Sequence, residues 1–130
     1  EMPHLQKLAA SNVRLLGHQS DEVVADLLNR AKAFVYMAVE DFGIAMVEAQ
    51  AAGCPVIAYG KGGAVEIVQD GETGFLFQEQ SSRSLNEAVL QSQKMKISNM
   101  ASEENAVRFS SQRFRKEFLE FIESVCQNLG

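Results

Sequence analysis

Two carboxylates flank a phenylalanine–glycine pair in "EDFGIAMVEAQAAGCPVIAYGKGG", residues 40–63. Glu40 stands just ahead of Phe42-Gly43, and Glu48 lies eight positions later between Val47 and Ala49. An ionised side chain in an apolar element is costly unless something pairs with it. A glycine opening a helix lets a ligand approach the backbone. The free N–H groups and the positive end of the helix dipole then suit a phosphate. Were every intervening residue helical, the two glutamates would be roughly 12 Å apart along the axis, one on each side of such a group. Sugar hydroxyls, a diphosphate and ribose hydroxyls follow one another in a nucleotide-sugar, and a carboxylate is the natural acceptor for a vicinal hydroxyl pair. The same residues also read as a tight strand-to-helix turn, an acid near a helix start and an exposed helix position.

The elements that would hold these residues alternate. Residues 1–10 read as the end of a helix, and "VRLLG" (13–17) as a short strand closed by glycine. "SDEVVADLLNRAKA" follows with Ser20 as N-cap and Val23, Val24, Leu27 and Leu28 at helical spacing. "AFVYMA" (33–38) is a strand apolar on both faces, as central parallel strands are. The helix opening near Phe42 is ended by Gly53, with Pro55 just beyond. "PVIAY" (55–59), the "GKGG" turn, a short helix in "AVEIVQD" and an extended "ETGFLFQ" (72–78) complete the pattern. After Ser81 the chain reads as helical, and Phe114, Phe118, Phe121, Ile122 and Val125 form one stripe on the last helix, core or interface. The order is that of an α/β, Rossmann-like parallel sheet with flanking helices and a helical C-terminal tail. One domain is expected over 1–130, its α/β part ending near residue 80 and a helical part filling 81–130. Ligand sites in such sheets form at the carboxyl ends of the strands, here loops 17–21, 38–43 and 59–64.

Bulk properties exclude several classes. The 130 residues are 46% apolar and 22% charged with net charge −5, so neither nucleic acid nor an anionic membrane is an expected partner. The longest apolar stretch, around 42–59, is broken by Glu48 and Gln50 and is no membrane span. Cys54 and Cys126 lack metal-ligand spacing, and two lone thiols fit a reducing, cytoplasmic setting. No DxD pair offers a metal site, and Walker and G-x-S-x-G motifs are absent. "GKGGAVE" (60–66) fails the dinucleotide fingerprint, because its third glycine position is Val65. It remains a turn able to approach a ligand, with Lys61 and Gly63 as secondary candidates beside His18 in the first loop.

In combination these residues are identified as those of a family. Glu40, Phe42-Gly43 and Glu48, then Glu48-Ala49, Ala52-Gly53, "PVIA", the glycine pair with Glu66, and "GETGFL" (71–76) resemble the donor-binding half of family 4 (group 1) glycosyltransferases of the GT-B type. "NVRLLGHQSDEVVADLLNRAKAFVYMA" and "FSSQRFRKEF" are similar to the family's segments before and after the motif. The resemblance runs from residue 1 to about 125.

It implies a retaining, metal-independent transfer of a hexose from a nucleoside-diphosphate sugar, with no cofactor besides that donor. Carried over by position, Glu40 contacts the donor sugar beside the reacting carbon. The backbone of Phe42, Gly43 and Ile44 binds sugar and diphosphate, Glu48 accepts the ribose hydroxyls, and Gln19 meets the base. The wording of "EDFGI…GKGGA" looks most like enzymes using GDP-mannose. The acceptor domain and the first two strands of the donor domain are missing, so the chain alone is expected to be inactive. The full-length enzyme is expected in the cytoplasm or peripheral to a membrane. The gap left by those strands is expected to close by pairing 13–17 directly with 33–38, or by dimerisation. The alternative function is a non-catalytic nucleotide-sugar binding or scaffold module.

Overall fold

A computed structural model describes residues 2–129; Glu1 and Gly130, and the ends of the expected domain with them, lie outside the described residues. Two helices come first, α1 (Met2–Leu8) and α2 (Asp21–Arg30). Then strand and helix alternate: β1 (Phe34–Tyr36), α3 (Ile44–Ala51), β2 (Val56–Tyr59), α4 (Ala64–Ile67) and β3 (Gly74–Phe77). Helices α5 (Ser82–Lys94), α6 (Asn99–Val107) and α7 (Ser111–Leu129) complete the chain.

The three strands form one parallel sheet in the order β1-β2-β3, with Phe34 opposite Val56 and Val56 opposite Gly74. The central strand β2 is buried on both faces, and its alternation divides the core in two. Val56 and Ala58 join Met46, Ala49, Ala64 and Ile67 under α3 and α4. Ile57 and Tyr59 join Phe75, Phe77 and Ala88 under α5. Gly53, at φ +72, closes α3 in the left-handed conformation that only glycine adopts freely. Ser81 caps α5 by accepting the Ser84 N–H at 3.2 Å. Helix α6 lies along α3, and α5 lies on the sheet, so both belong to the α/β layers, while α7 follows as a helical tail.

Three expectations fail at the other edge. Residues 13–17 form no strand; Val13, Leu15 and Leu16 are exposed, and no ladder joins them to β1. Direct pairing of 13–17 with 33–38 therefore does not occur. The physical reason is that an extended segment becomes a strand only by sharing backbone hydrogen bonds with a neighbour. For the same reason β1 is an edge and not a central strand, and Val35 is exposed. Ser20 occupies the N-cap of α2, yet its side chain accepts no backbone N–H there. Its hydroxyl is turned instead to the Glu22 carboxylate, which that bond holds below the ordinary carboxylate range.

Candidate functional site

The carboxyl end of β1 builds the site. Tyr36, the last residue of the strand, donates its phenolic O–H to Glu40 Oε1 at 2.7 Å. That hydrogen bond to a carboxylate raises the Tyr36 pKa above the ordinary tyrosine value. The Glu40 main chain is held as well, because the Gly63 N–H donates to its carbonyl at 2.7 Å. Gly43 then takes φ +88 at the N-cap, turning the chain into α3. Met46 N–H closes the first turn on Gly43 O at 3.0 Å. The N–H groups of Ile44 and Ala45 meet no acceptor among the described residues, as expected for the first turn of a helix. Around this mouth lies an open depression of about 330 Å³, lined by Tyr36, Glu40, Asp41, Phe42, Gly43, Ile44 and Ala45. Its floor is a helix N-terminus, its rim carries Glu40, and Phe42 stands 53% exposed beside it. Such a place can take an oxyanion on the backbone and a hydroxyl on the carboxylate.

The expected site residues divide. Glu40, Phe42, Gly43 and Ile44 come together here. Glu48 faces solvent on the second turn of α3, above Ile44 on the same face and with no ion-pair partner among the described residues. Only Ile44–Glu48 of the Glu40–Glu48 span is helical, so the axial separation expected for a continuous helix does not apply. Gln19 and His18 are not part of the depression; the Gln19 side-chain amide donates to Leu16 O at 2.7 Å, and His18 is exposed. Lys61 places its Nζ 5.5 Å from the centre of the Tyr59 ring, also outside the depression.

The glycine turn has a different use from the one expected. A Cβ on Gly63 would overlap the Phe42 carbonyl, and one on Gly62 would overlap the carbonyl of Glu40. These glycines let the 60–63 turn pack backbone to backbone against the 39–42 loop. Gly63 is buried and supports the site from behind. Tyr36, Asp41 and Ala45 are lining residues that were not among the expected ones. Tyr36 sits four residues before Glu40 at the end of a strand, and that spacing was the available signal. Among the described residues no cluster of three or more His, Cys, Asp or Glu side chains is arranged for a metal. No helix of the described residues is long and apolar enough to cross a membrane.

A parallel sheet with a depression at the carboxyl end of a strand, on a helix N-terminus beside a carboxylate, is the layout of an α/β ligand-binding protein. The chain matches the family described as "Glycosyl transferases group 1" over residues 4–109, and it belongs to that family. It is 44% identical over 80 residues to a D-inositol 3-phosphate glycosyltransferase of Streptomyces scabiei, a match covering 57% of this chain and 18% of that enzyme. It is 35% identical over 79 residues to the capsular polysaccharide biosynthesis glycosyltransferase CapM of Staphylococcus aureus, covering 60% and 20%. Among solved structures, HepE of Anabaena in complex with UDP-glucose superposes with a TM-score of 0.64 at 29% identity, over 95% of this chain and 35% of that one. The chain thus spans about a fifth of these curated relatives and about a third of the solved one. The expected family, the α/β fold and the transferase class are borne out.

Proposed function

We propose that this chain is the donor-binding part of a retaining, metal-independent hexosyltransferase. One observation carries the reading: the Glu40 carboxylate stands at the mouth of α3, beside two N–H groups that no described residue uses. In this reading those N–H groups and the Gly43 turn take the donor diphosphate, and Glu40 takes the sugar hydroxyls next to the reacting carbon. Tyr36 orients that carboxylate through its 2.7 Å bond. Glu48, one turn further on the same solvent face, takes the ribose, and Gln19 takes the base from the loop before α2. The bound UDP-glucose in HepE supports a nucleoside-diphosphate donor; UDP-glucose and GDP-mannose are the two donors to compare first. Two free cysteines suit a reducing, cytoplasmic setting for the whole enzyme. The acceptor domain and the strands that continue β1 outward come from outside these residues, and a second copy takes the β1 edge when the piece is isolated.

The test is a donor screen on the complete gene product, with the product anomer read by NMR and with and without EDTA. Transfer with retained configuration and unchanged rate in EDTA is expected. Glu40→Ala is expected to lower kcat/KM by at least about a hundredfold, as loss of a group placed at the reacting centre does. Glu48→Ala is expected to weaken nucleoside-diphosphate affinity about tenfold, the equivalent of one charged hydrogen bond. A fully active Glu40→Ala enzyme would reject its role, and unchanged nucleotide affinity in Glu48→Ala would reject the ribose contact.

A further inference from the structure

The two loops that meet at Glu40 are carried by two helices, and a buried amide ties those helices together behind the site. Helix α3 runs away from the mouth at Gly43, and Gln50 near its far end is fully buried. Helix α4 follows Gly63 and ends at Ile67, whose carbonyl is left without an intrahelical partner. Asn105 comes from α6, sixty-odd residues along the chain from the mouth, and is 4% exposed. Its amide nitrogen donates to Gln50 Oε1 and to Ile67 O, both at 2.6 Å. Gln50 Nε2 donates to the same Ile67 carbonyl at 3.3 Å. Arg108 Nη1 donates to Asn105 Oδ1 at 2.7 Å, so both ends of the Asn105 amide are occupied and its orientation follows from its partners.

An apolar pair at 50 and 105 would fill this interior but leave the Ile67 carbonyl buried without a donor, so the amides supply direction as well as burial. They cap the end of a four-residue helix that is too short to hold itself. They also fix that helix against α3. The opposite end of α4 is the Gly63 turn, and the Gly63 N–H holds Glu40 O.

We infer that Asn105 is a positioning residue for the donor site: by clamping the end of α4 to α3 it keeps Gly63 against Glu40, and so keeps the Glu40–Phe42 loop at the mouth of α3. This rests on the donor reading above. If α4 slips, Gly63 leaves the Glu40 carbonyl and the carboxylate loses its backbone support, while the sheet itself is untouched.

The experiment compares wild type, Asn105→Ala and Arg108→Ala in the complete gene product, by amide hydrogen exchange and by steady-state transfer. Asn105→Ala is expected to raise exchange across residues 60–67 by about tenfold and to leave 55–59 and 74–77 at the wild-type rate, a local opening and not a global one. It is also expected to lower kcat by about tenfold or more with donor KM nearly unchanged, since misplacing a reacting group acts on the chemical step. Arg108→Ala removes an exposed side chain that orients the amide and also lies over the Phe109 ring, and is expected to shift both readouts the same way by about threefold; Arg108→Lys, which keeps a cation over the ring, separates the two contacts, and the pair carries the test if Asn105→Ala does not fold. Exchange in 60–67 equal to wild type would overturn the inference. So would an equal rise in all three segments, the mark of lost stability alone, or opening of 60–67 with kcat unchanged. Absence of transfer by wild type from every donor would sink the donor reading instead, and the localised exchange would still decide whether the clamp exists.

Discussion

Helices α2 and α3 are both amphipathic or apolar stretches placed before a strand, yet they have opposite fates. In α3, Met46, Ala49 and Gln50 are buried against β2 and α6. In α2 no residue is buried, although Val23, Val24 and Leu27 repeat at helical spacing and only Leu28 packs against the core. The difference is one of partners. A periodic apolar face states that a helix wants cover, and whether cover exists is decided by the rest of the fold. Here α3 is covered on one side by the sheet and on the other by α6, while of α2 only Leu28 reaches the core.

The sharpest way to break this contrast is at the glycine turn. Gly63→Ala drives a Cβ into the Phe42 carbonyl, and is expected to destabilise by about 3 kcal/mol through overpacking of backbone. Urea unfolding monitored by circular dichroism measures it; an unchanged midpoint would mean that the 60–63 turn does not rest on the 39–42 loop. Next come matched truncations in the two regions. Met46→Ala in α3, 1% exposed, should cost about 2–4 kcal/mol, whereas Val24→Ala in α2 should stay within about 0.5 kcal/mol. Equal costs would show that α2 is covered in solution.

Smaller effects read the same contrast chemically. Cys54 is buried, which pushes its thiol pKa up, and Cys126 is exposed on α7. A disulfide-exchange reagent at pH 8 is expected to modify Cys126 at least about a hundredfold faster than Cys54, the two rates converging in denaturant. The smallest effect is at the site rim. The Tyr36 pKa is raised by its bond to Glu40, so the bond's contribution is complete below about pH 10 and is lost as pH rises through the higher folded value. NMR titration of the Tyr36 ring should give a midpoint above the ordinary one, and Glu40→Ala should lower it toward the ordinary value.

How much of this was readable from residues follows the same division. The run from α3 to β3 was legible because its signals are local: Gly43 and Gly53 at the helix ends, a fully apolar "VIAY", glycines between elements. The mouth of α3 was legible for the same reason, with Glu40, Phe42 and Gly43 adjacent in sequence. What failed was everything that needs a distant partner. "VRLLG" has strand composition but nothing to pair with. Of the two polar residues in α3, Glu48 drew the question of how a charge is satisfied, yet it faces solvent, and Gln50 is the one buried and in need of bonds. Its partner Asn105 lies 55 residues away, and no periodicity links the two. Gly62 and Gly63 were visible as a turn, but the carbonyls they make room for belong to another loop.

The aromatic stripe of α7 has a thermal consequence. Phe114, Phe118, Phe121, Ile122 and Val125 are all exposed along a helix of 19 residues, about 28 Å long. What holds that helix is peptide physics: backbone bonds, a Phe114–Phe118 stack at 5.7 Å, and exposed pairs such as Arg113–Glu117 and Lys116–Glu120, each contributing about 0.3–0.5 kcal/mol. On warming, its ellipticity should drain away gradually and without a midpoint, while the three-stranded sheet melts in one cooperative step. The helix is thus a built-in gauge of its own surroundings: any molecule that came to lie along its phenylalanines would convert the gradual slope into a second transition.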